Sequence, residues 1–136
     1  MENSTEEIIE IPRVNDPRGN LSFIQQPDAC PFKIERVYWI YDVSGDYQRF
    51  GRALRSTTEM IVALSGAFDV ALEYPDGRVR TVHLNRAYRA VLLPPMTWRV
   101  LDNFSTNSVA LVLASTKFDE KDYIRDYEQY KQSCNG

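Results

Sequence analysis

Short runs rich in apolar, β-branched and aromatic residues, closed by turn formers, succeed one another through most of the chain. In AFDVALEY, residues 67–74, Phe68, Val70, Leu72 and Tyr74 alternate with Asp69 and Glu73. That is the period of a strand with one buried face and one wet face. IIEIPRV, NLSFIQ, KIERVYWIYDV, EMIVAL, RVRTVHL, AVLL, WRVLDNF and SVALVLAS read as further strands, rich in β-branched and aromatic residues. Pro75-Asp76-Gly77 predicts a tight turn that joins AFDVALEY to RVRTVHL as a hairpin.

Only the C-terminal end has a helical period. DEKDYIRDYEQYKQ sets Tyr123, Tyr127 and Tyr130 at i, i+4 and i+7, with Asp119 as a cap and acids in the first turn, where the helix dipole favours them. A helix over about 117–132 is therefore expected, with its aromatic stripe packed on the outside of the sheets and no part in ligand binding. Many short strands and one terminal helix predict an all-β sandwich or jelly-roll barrel, whose interior can hold a small ligand.

Composition narrows the function classes. A chain of 136 residues, 43% hydrophobic, supplies one core, so residues 1–136 are expected to form one domain without linker or repeat. A formal net charge of -3 offers no basic field to release counterions, and no nucleic-acid partner is expected. No apolar run approaches the roughly 20 residues that cross a bilayer. The acidic start MENSTEEIIE is unlike a signal peptide, so the expectation is a cytoplasmic protein away from membranes. Cys30 and Cys134 read as free thiols, and His83, between Val82 and Leu84, reads as a partly exposed strand histidine.

Candidate chemistry lies in GRALRSTTEMIVALSG, residues 51–66. The first frame of a metal-binding cupin barrel places two histidines two apart, a Glu five later and a Gly seven beyond that. The corresponding slots are Arg52, Leu54, Glu59 and Gly66. A second frame, Pro, then Gly, His and Asn at steps of two, three and four, falls on Pro94, Met96, Arg99 and Asn103. A metal in such a barrel needs three or four N, O or S donors. Arg52 and Arg99 are permanent cations, Leu54 offers no donor, and only Glu59 remains, so neither a metal nor another cofactor is expected.

Beyond these frames, DPRGNL at 16–21, IERVYWIYDV at 34–43, LSGAFDVAL at 64–72, LPPMTW at 93–98 and LVLASTKFDEKDYIRDY at 111–127 resemble the dTDP-sugar 3,4-ketoisomerases, a family of small cupins. The resemblance implies a jelly-roll homodimer, with strands exchanged or shared near the N-terminus and no metal. It also implies a dTDP-linked 4-keto-6-deoxy sugar as ligand, with the keto group moved from C4 to C3, on the way to deoxyamino sugars of surface polysaccharides. Family members carry His-Ala-His where this chain reads Arg52-Ala53-Leu54. Tyr38 falls in the strand where the family has an active-site tyrosine. Arg18, in Asp-Pro-Arg-Gly, resembles a sugar or phosphate contact. Trp98 would stack on thymine or fill the barrel mouth, and Arg99 would pair with Glu59 or face the phosphates.

The isomerisation removes a proton from C3 and returns one at C4, a task for groups that titrate near neutral pH, such as imidazole. Arg52 stays protonated and Leu54 transfers no proton. Acid/base catalysis contributes roughly 10²- to 10⁴-fold, so catalysis should be impaired or altered unless Tyr38 or Glu59 substitutes, and a phenol titrating near its usual value of about 10 is a poor base. The alternatives are a non-catalytic nucleotide-sugar-binding or partner subunit, and an epimerase-type cupin, which would also need a histidine base.

Overall fold

The structure is a computed structural model that describes residues 8–26, 29–44 and 49–135. In chain order the first strands are β1 (Ile8–Glu10), β2 (Arg13–Val14), β3 (Leu21–Ser22), β4 (Arg36–Tyr41), β5 (Arg49–Leu54) and β6 (Glu59–Ser65). There follow β7 (Phe68–Glu73), β8 (Val79–Leu84), β9 (Arg89–Leu93), β10 (Trp98–Asp102), β11 (Val109–Ala114), β12 (Tyr123–Ile124) and helix α1 (Tyr127–Asn135). Two five-stranded antiparallel sheets result, β1-β9-β6-β11-β4 and β12-β5-β10-β7-β8, with β2 and β3 as a separate hairpin. Ile61, Val91 and Val112 of the first sheet meet Phe68, Val70 and Leu101 of the second in one core, the jelly-roll sandwich expected of the pattern.

Burial explains which runs alternate. On β7 the core side chains Phe68, Val70 and Leu72 are buried, and Ala71 between them is exposed. β6 is buried on both faces over Glu59–Ala63, because the segment carrying Ile11, Ile24, Cys30, Phe32 and Ile34 crosses behind Met60 and Val62. A near-continuous apolar run is the signature of such a strand. The β7–β8 hairpin turns at Pro75-Asp76-Gly77, where Gly77 has φ +92° and its N–H donates to the Tyr74 carbonyl at 2.9 Å. Cys30 and Cys134 are free, and His83 lies opposite Asp69 across this hairpin, Nδ1 2.6 Å from Oδ1.

Three expectations change. Pro12, without an N–H, divides the run IIEIPRV, which pairs first with β9 and then, as β2, with β3. β5 was not legible as a strand, because Gly51 and Arg52 interrupt any apolar alternation; it forms by pairing with β10 on one side and β12 on the other. The helix expected over 117–132 is confined to Tyr127–Asn135. Asp119 does cap, but what it caps is a single 3-10 turn, Glu120–Asp122. Tyr123 and Ile124 then pair with Leu54 and Ala53 on the free edge of β5, which satisfies main-chain groups that a helix would satisfy internally. Asp126 starts the helix proper, accepting from Gln129 N at 2.9 Å.

Asp122 fastens this C-terminal passage to the barrel. Its Oδ1 accepts from the Ser56 N–H and hydroxyl, each at 2.8 Å, and its Oδ2 accepts a short bond from the Thr57 hydroxyl. Burial alone would raise the carboxyl's pKa, but these donors outweigh it and hold the pKa below the usual aspartate value. A group whose folded pKa is depressed contributes stability in full above its unfolded pKa, about 3.9, and loses that contribution as pH falls through the folded value. Among the described residues, no helix is long and apolar enough to cross a membrane. D122N should lower the melting temperature at pH 7, and the gap from the parent protein should narrow as the pH is taken below about 4, as thermal denaturation across that range would register.

Candidate active site

At one end of the sandwich the apolar core gives way to charge. Glu59 opens β6 and Arg99 lies on β10 of the opposite sheet, with side chains 0% and 1% exposed, and Arg99 Nη1 donates to Glu59 Oε1 at 2.5 Å. Tyr38 on β4 donates its hydroxyl to the other carboxylate oxygen at 2.8 Å. The same hydroxyl accepts from Arg52 Nη2 at 3.2 Å. Arg52 and Arg99 are direct cross-strand partners on β5 and β10. Two like charges so placed repel, and the carboxylate of Glu59, reached from the other sheet, offsets them. The chain of contacts runs Arg52 to Tyr38 to Glu59 to Arg99.

The protonation states follow. Burial first, and then the negative charge of Glu59, push the Tyr38 phenol well above its ordinary value, against the smaller opposing effect of Arg52. Tyr38 is therefore a neutral donor at any physiological pH. Burial by itself would lower the Arg52 pKa, but Tyr38 and Glu59 more than compensate and raise it, so the guanidinium keeps its charge.

A cavity of about 650 Å³ opens beside this chain, lined by Tyr38, Gly51, Arg52, Trp98, Tyr123, Arg125 and Tyr127. Trp98 lies flat across β5: a Cβ on Gly51 would sit 2.5 Å from its ring, so only glycine admits it there. Tyr127 meets Trp98 edge-on, with ring centroids 5.4 Å apart. The helix that brings Tyr127 is held by Glu73 of β7, which accepts from the Tyr127 hydroxyl at 2.8 Å and from Lys131 at 2.9 Å. On the far wall Arg36 Nη1 donates to the Tyr123 hydroxyl at 3.1 Å, and the Arg125 guanidinium lies 4.5 Å over the Tyr123 ring.

Of the residues singled out in the sequence, Tyr38, Arg52 and Trp98 line the cavity, and Glu59 and Arg99 stand behind them. Leu54 is fully buried on the face it shares with Arg52, without reaching the cavity wall. Arg18 lies elsewhere within one chain: on the β2–β3 hairpin, its side chain 90% exposed, it pairs with Asp16 at 2.9 Å. Gly51, Tyr123, Arg125 and Tyr127 were not expected at the site. The tyrosine periodicity was visible, but it read as one outward helical stripe, whereas Tyr123 belongs to a strand and Tyr127 to the helix after it.

In the second frame the glycine slot is filled by Met96 at φ +65°, with its N–H on the Leu54 carbonyl at 2.8 Å; the left-handed turn survives the loss of glycine. Glu59 is the one carboxylate among the frame positions, and both neighbouring frame positions, 52 and 99, are cations, a donor set that suits an anion better than a metal ion. Among the described residues, no group of three His, Cys, Asp or Glu side chains is assembled. Removing one partner of a buried ion pair leaves the other charge uncompensated, at a cost of about 3–5 kcal/mol. R99M should lose stability of that order in urea denaturation, and Y38F, which leaves the pair intact but removes a hydrogen bond to the carboxylate, about 1.5–3 kcal/mol.

Known proteins share this architecture over nearly the whole chain. TDP-4-oxo-6-deoxy-alpha-D-glucose-3,4-oxoisomerase of Aneurinibacillus thermoaerophilus is 34% identical over 126 residues, 92% of this chain and 89% of that protein. The 3,4-ketoisomerase QdtA of Thermoanaerobacterium thermosaccharolyticum, solved in complex with TDP, superposes with a TM-score of 0.89 at 31% identity, over 94% of this chain and 93% of that one. A 3,4-ketoisomerase from Helicobacter canadensis gives a TM-score of 0.90 at 30% identity, over 95% and 96%. A family profile matches residues 4–135, and the chain belongs to the family described as FdtA, WxcM-like, C-terminal.

Proposed function

We propose that the barrel binds a dTDP-linked 4-keto-6-deoxy sugar and is a 3,4-ketoisomerase-type cupin whose catalysis is altered by the loss of both imidazoles. The observation that carries this reading is the cavity beside Tyr38 and Arg52. Its aromatic wall of Trp98 and Tyr127 suits the face of a pyrimidine, and Arg52 and Arg125 suit a diphosphate. QdtA, with the same architecture, has been solved with TDP and, in a mutant form, with TDP-4-keto-6-deoxyglucose. A non-catalytic nucleotide-sugar-binding subunit is the second reading, favoured by Arg52 and Leu54 at the positions of the family's histidine pair.

The working unit in this proposal is a homodimer. Val37, Trp39 and Tyr41 project from β4 away from the core, and all are exposed. With Leu64, Val109 and Leu111, the latter two aromatics border an apolar hollow of about 540 Å³ on the outer face of the first sheet. The β2–β3 hairpin adds exposed Val14 and Leu21 beside Arg18. Apolar side chains gathered in this way mark an interaction surface, and a second copy pairing through the hairpin accounts for both groups at once.

Calorimetry should find dTDP binding with a dissociation constant in the micromolar range, weakened at least tenfold in W98A; no binding would dispose of the reading. Light scattering should give twice the monomer mass, and a monomer would refute the dimer. In the double variant R52H/L54H the isomerisation of dTDP-4-keto-6-deoxyglucose should depend on an imidazole that titrates near neutral pH; a rate without that pH dependence would place catalysis outside these positions.

A further inference from the structure

Buried guanidinium groups at this end of the barrel have more donors than acceptors. Among the described residues, Arg52 Nε, Arg99 Nη2 and both Nε and Nη2 of Arg36 are buried without a hydrogen-bond partner. Arg99 has Glu59 as counter-ion, but among the described residues the one hydrogen bond from the Arg52 guanidinium goes to the neutral phenol of Tyr38. Arg52, half-buried on the cavity wall, reaches the Glu59 carboxylate only through Tyr38, an under-compensated arrangement for a cation. It becomes favourable when negative charge arrives within reach, as it does on the oxygen of an enediolate.

We propose that this chain replaces the lost imidazoles with its own machinery: Arg52 stabilises the enediolate oxygen, and Tyr38 relays the substrate proton to Glu59. The proposal rests on the dTDP-sugar reading and deepens it. Tyr38 is placed for a relay, since its hydroxyl already donates to Glu59 Oε2 at 2.8 Å, accepts from Arg52 at 3.2 Å, and retains a lone pair on a ring that lines the cavity. Because the phenol is held neutral, it passes a proton on and does not act as a base alone. A carboxylate base working with an electrophilic partner suffices for other keto–hydroxy isomerisations, the Glu and His of triosephosphate isomerase among them.

The step balances without a co-reactant. As the C3–H bond breaks, its proton passes to Tyr38 Oη and the phenolic proton passes to Glu59 Oε2. The C–H electron pair forms the C3–C4 double bond, and the carbonyl pair moves onto the C4 oxygen, facing Arg52. The C3 hydroxyl proton shifts to the C4 oxygen. Glu59 then returns its proton through Tyr38 to C4, and the C3 oxygen becomes the carbonyl. Leu54 takes no part beyond packing. Arg99 fixes the carboxylate's orientation, so that Oε2 stays aimed at Tyr38.

The test is deuterium entry into dTDP-4-keto-6-deoxyglucose in deuterated water, followed by NMR at saturating sugar nucleotide, with dTDP affinity measured in parallel. The parent protein should exchange C3. Y38F and R52L should exchange at least 10²-fold more slowly while still binding dTDP. E59D, which keeps a carboxylate, should exceed E59Q at least tenfold, a rescue that a purely structural role for Glu59 would not produce. Y38F leaves the Glu59–Arg99 pair untouched, so its result stands even if E59Q fails to fold. Exchange in Y38F within threefold of the parent, or a parent protein that binds dTDP and exchanges nothing, would overturn the relay and leave the binding reading standing. Absence of dTDP binding would instead remove the reading on which it rests.

Discussion

The contact between Glu59 and Arg99 is the constraint around which the site is organised. It joins β6 of one sheet to β10 of the other through side chains that water does not reach. Such a pair adds little net stability over apolar residues of equal size, because desolvation cancels much of the attraction. Its consequence is geometric. A carboxylate fixed at Oε1 by Arg99 presents Oε2 to Tyr38, and Tyr38 in turn sets the distance to Arg52. Four side chains from four strands are thereby ordered, two from each sheet, at the end of the sandwich where the apolar core stops.

The aromatic half of the cavity depends on a different set of contacts. Glycine at position 51 lets the Trp98 ring lie across β5. Tyr130, fully buried, has its hydroxyl within 2.9 Å of the Met96 carbonyl and 3.1 Å of the Glu73 carbonyl, which seats the helix against the turn before β10. Tyr127 and Lys131 complete the attachment at the Glu73 carboxylate. The C-terminal passage thus serves as a wall of the site. Its strand Tyr123–Ile124 covers the edge of β5, and the Asp122 carboxylate fastens the turn before it to Ser56 and Thr57.

Strands with a wet face were legible in the sequence because burial alternates along them, as at Phe68, Val70 and Leu72. β5 was not, since its pairing is a main-chain property and Gly51 and Arg52 leave no apolar period to read. A pairing of Glu59 with Arg99 was one of two readings the motif frames allowed, the other turning Arg99 to the phosphates, and the frames' turn geometry persists even where Met96 has replaced glycine. Tyr123, Arg125 and Tyr127 could not be placed, because one helical period fitted them until the edge of β5 claimed Tyr123. The place of Arg18 on an exposed hairpin depends on tertiary packing, to which a local motif is blind. What the missing histidines mean was visible only as a deficit; the contacts from Arg52 through Tyr38 to Glu59 appear once four distant segments are brought together.

The central claim is that a ligand enters between Trp98 and Arg52 while the ion pair behind them stays closed. A crystal structure with a dTDP-linked hexose tests it most directly. The account predicts thymine against Trp98, the sugar ring within hydrogen-bonding reach of Tyr38 and Arg52, and Glu59 still bonded to Arg99. A cavity filled by its own side chains, or a ligand bound elsewhere on the barrel, would contradict it.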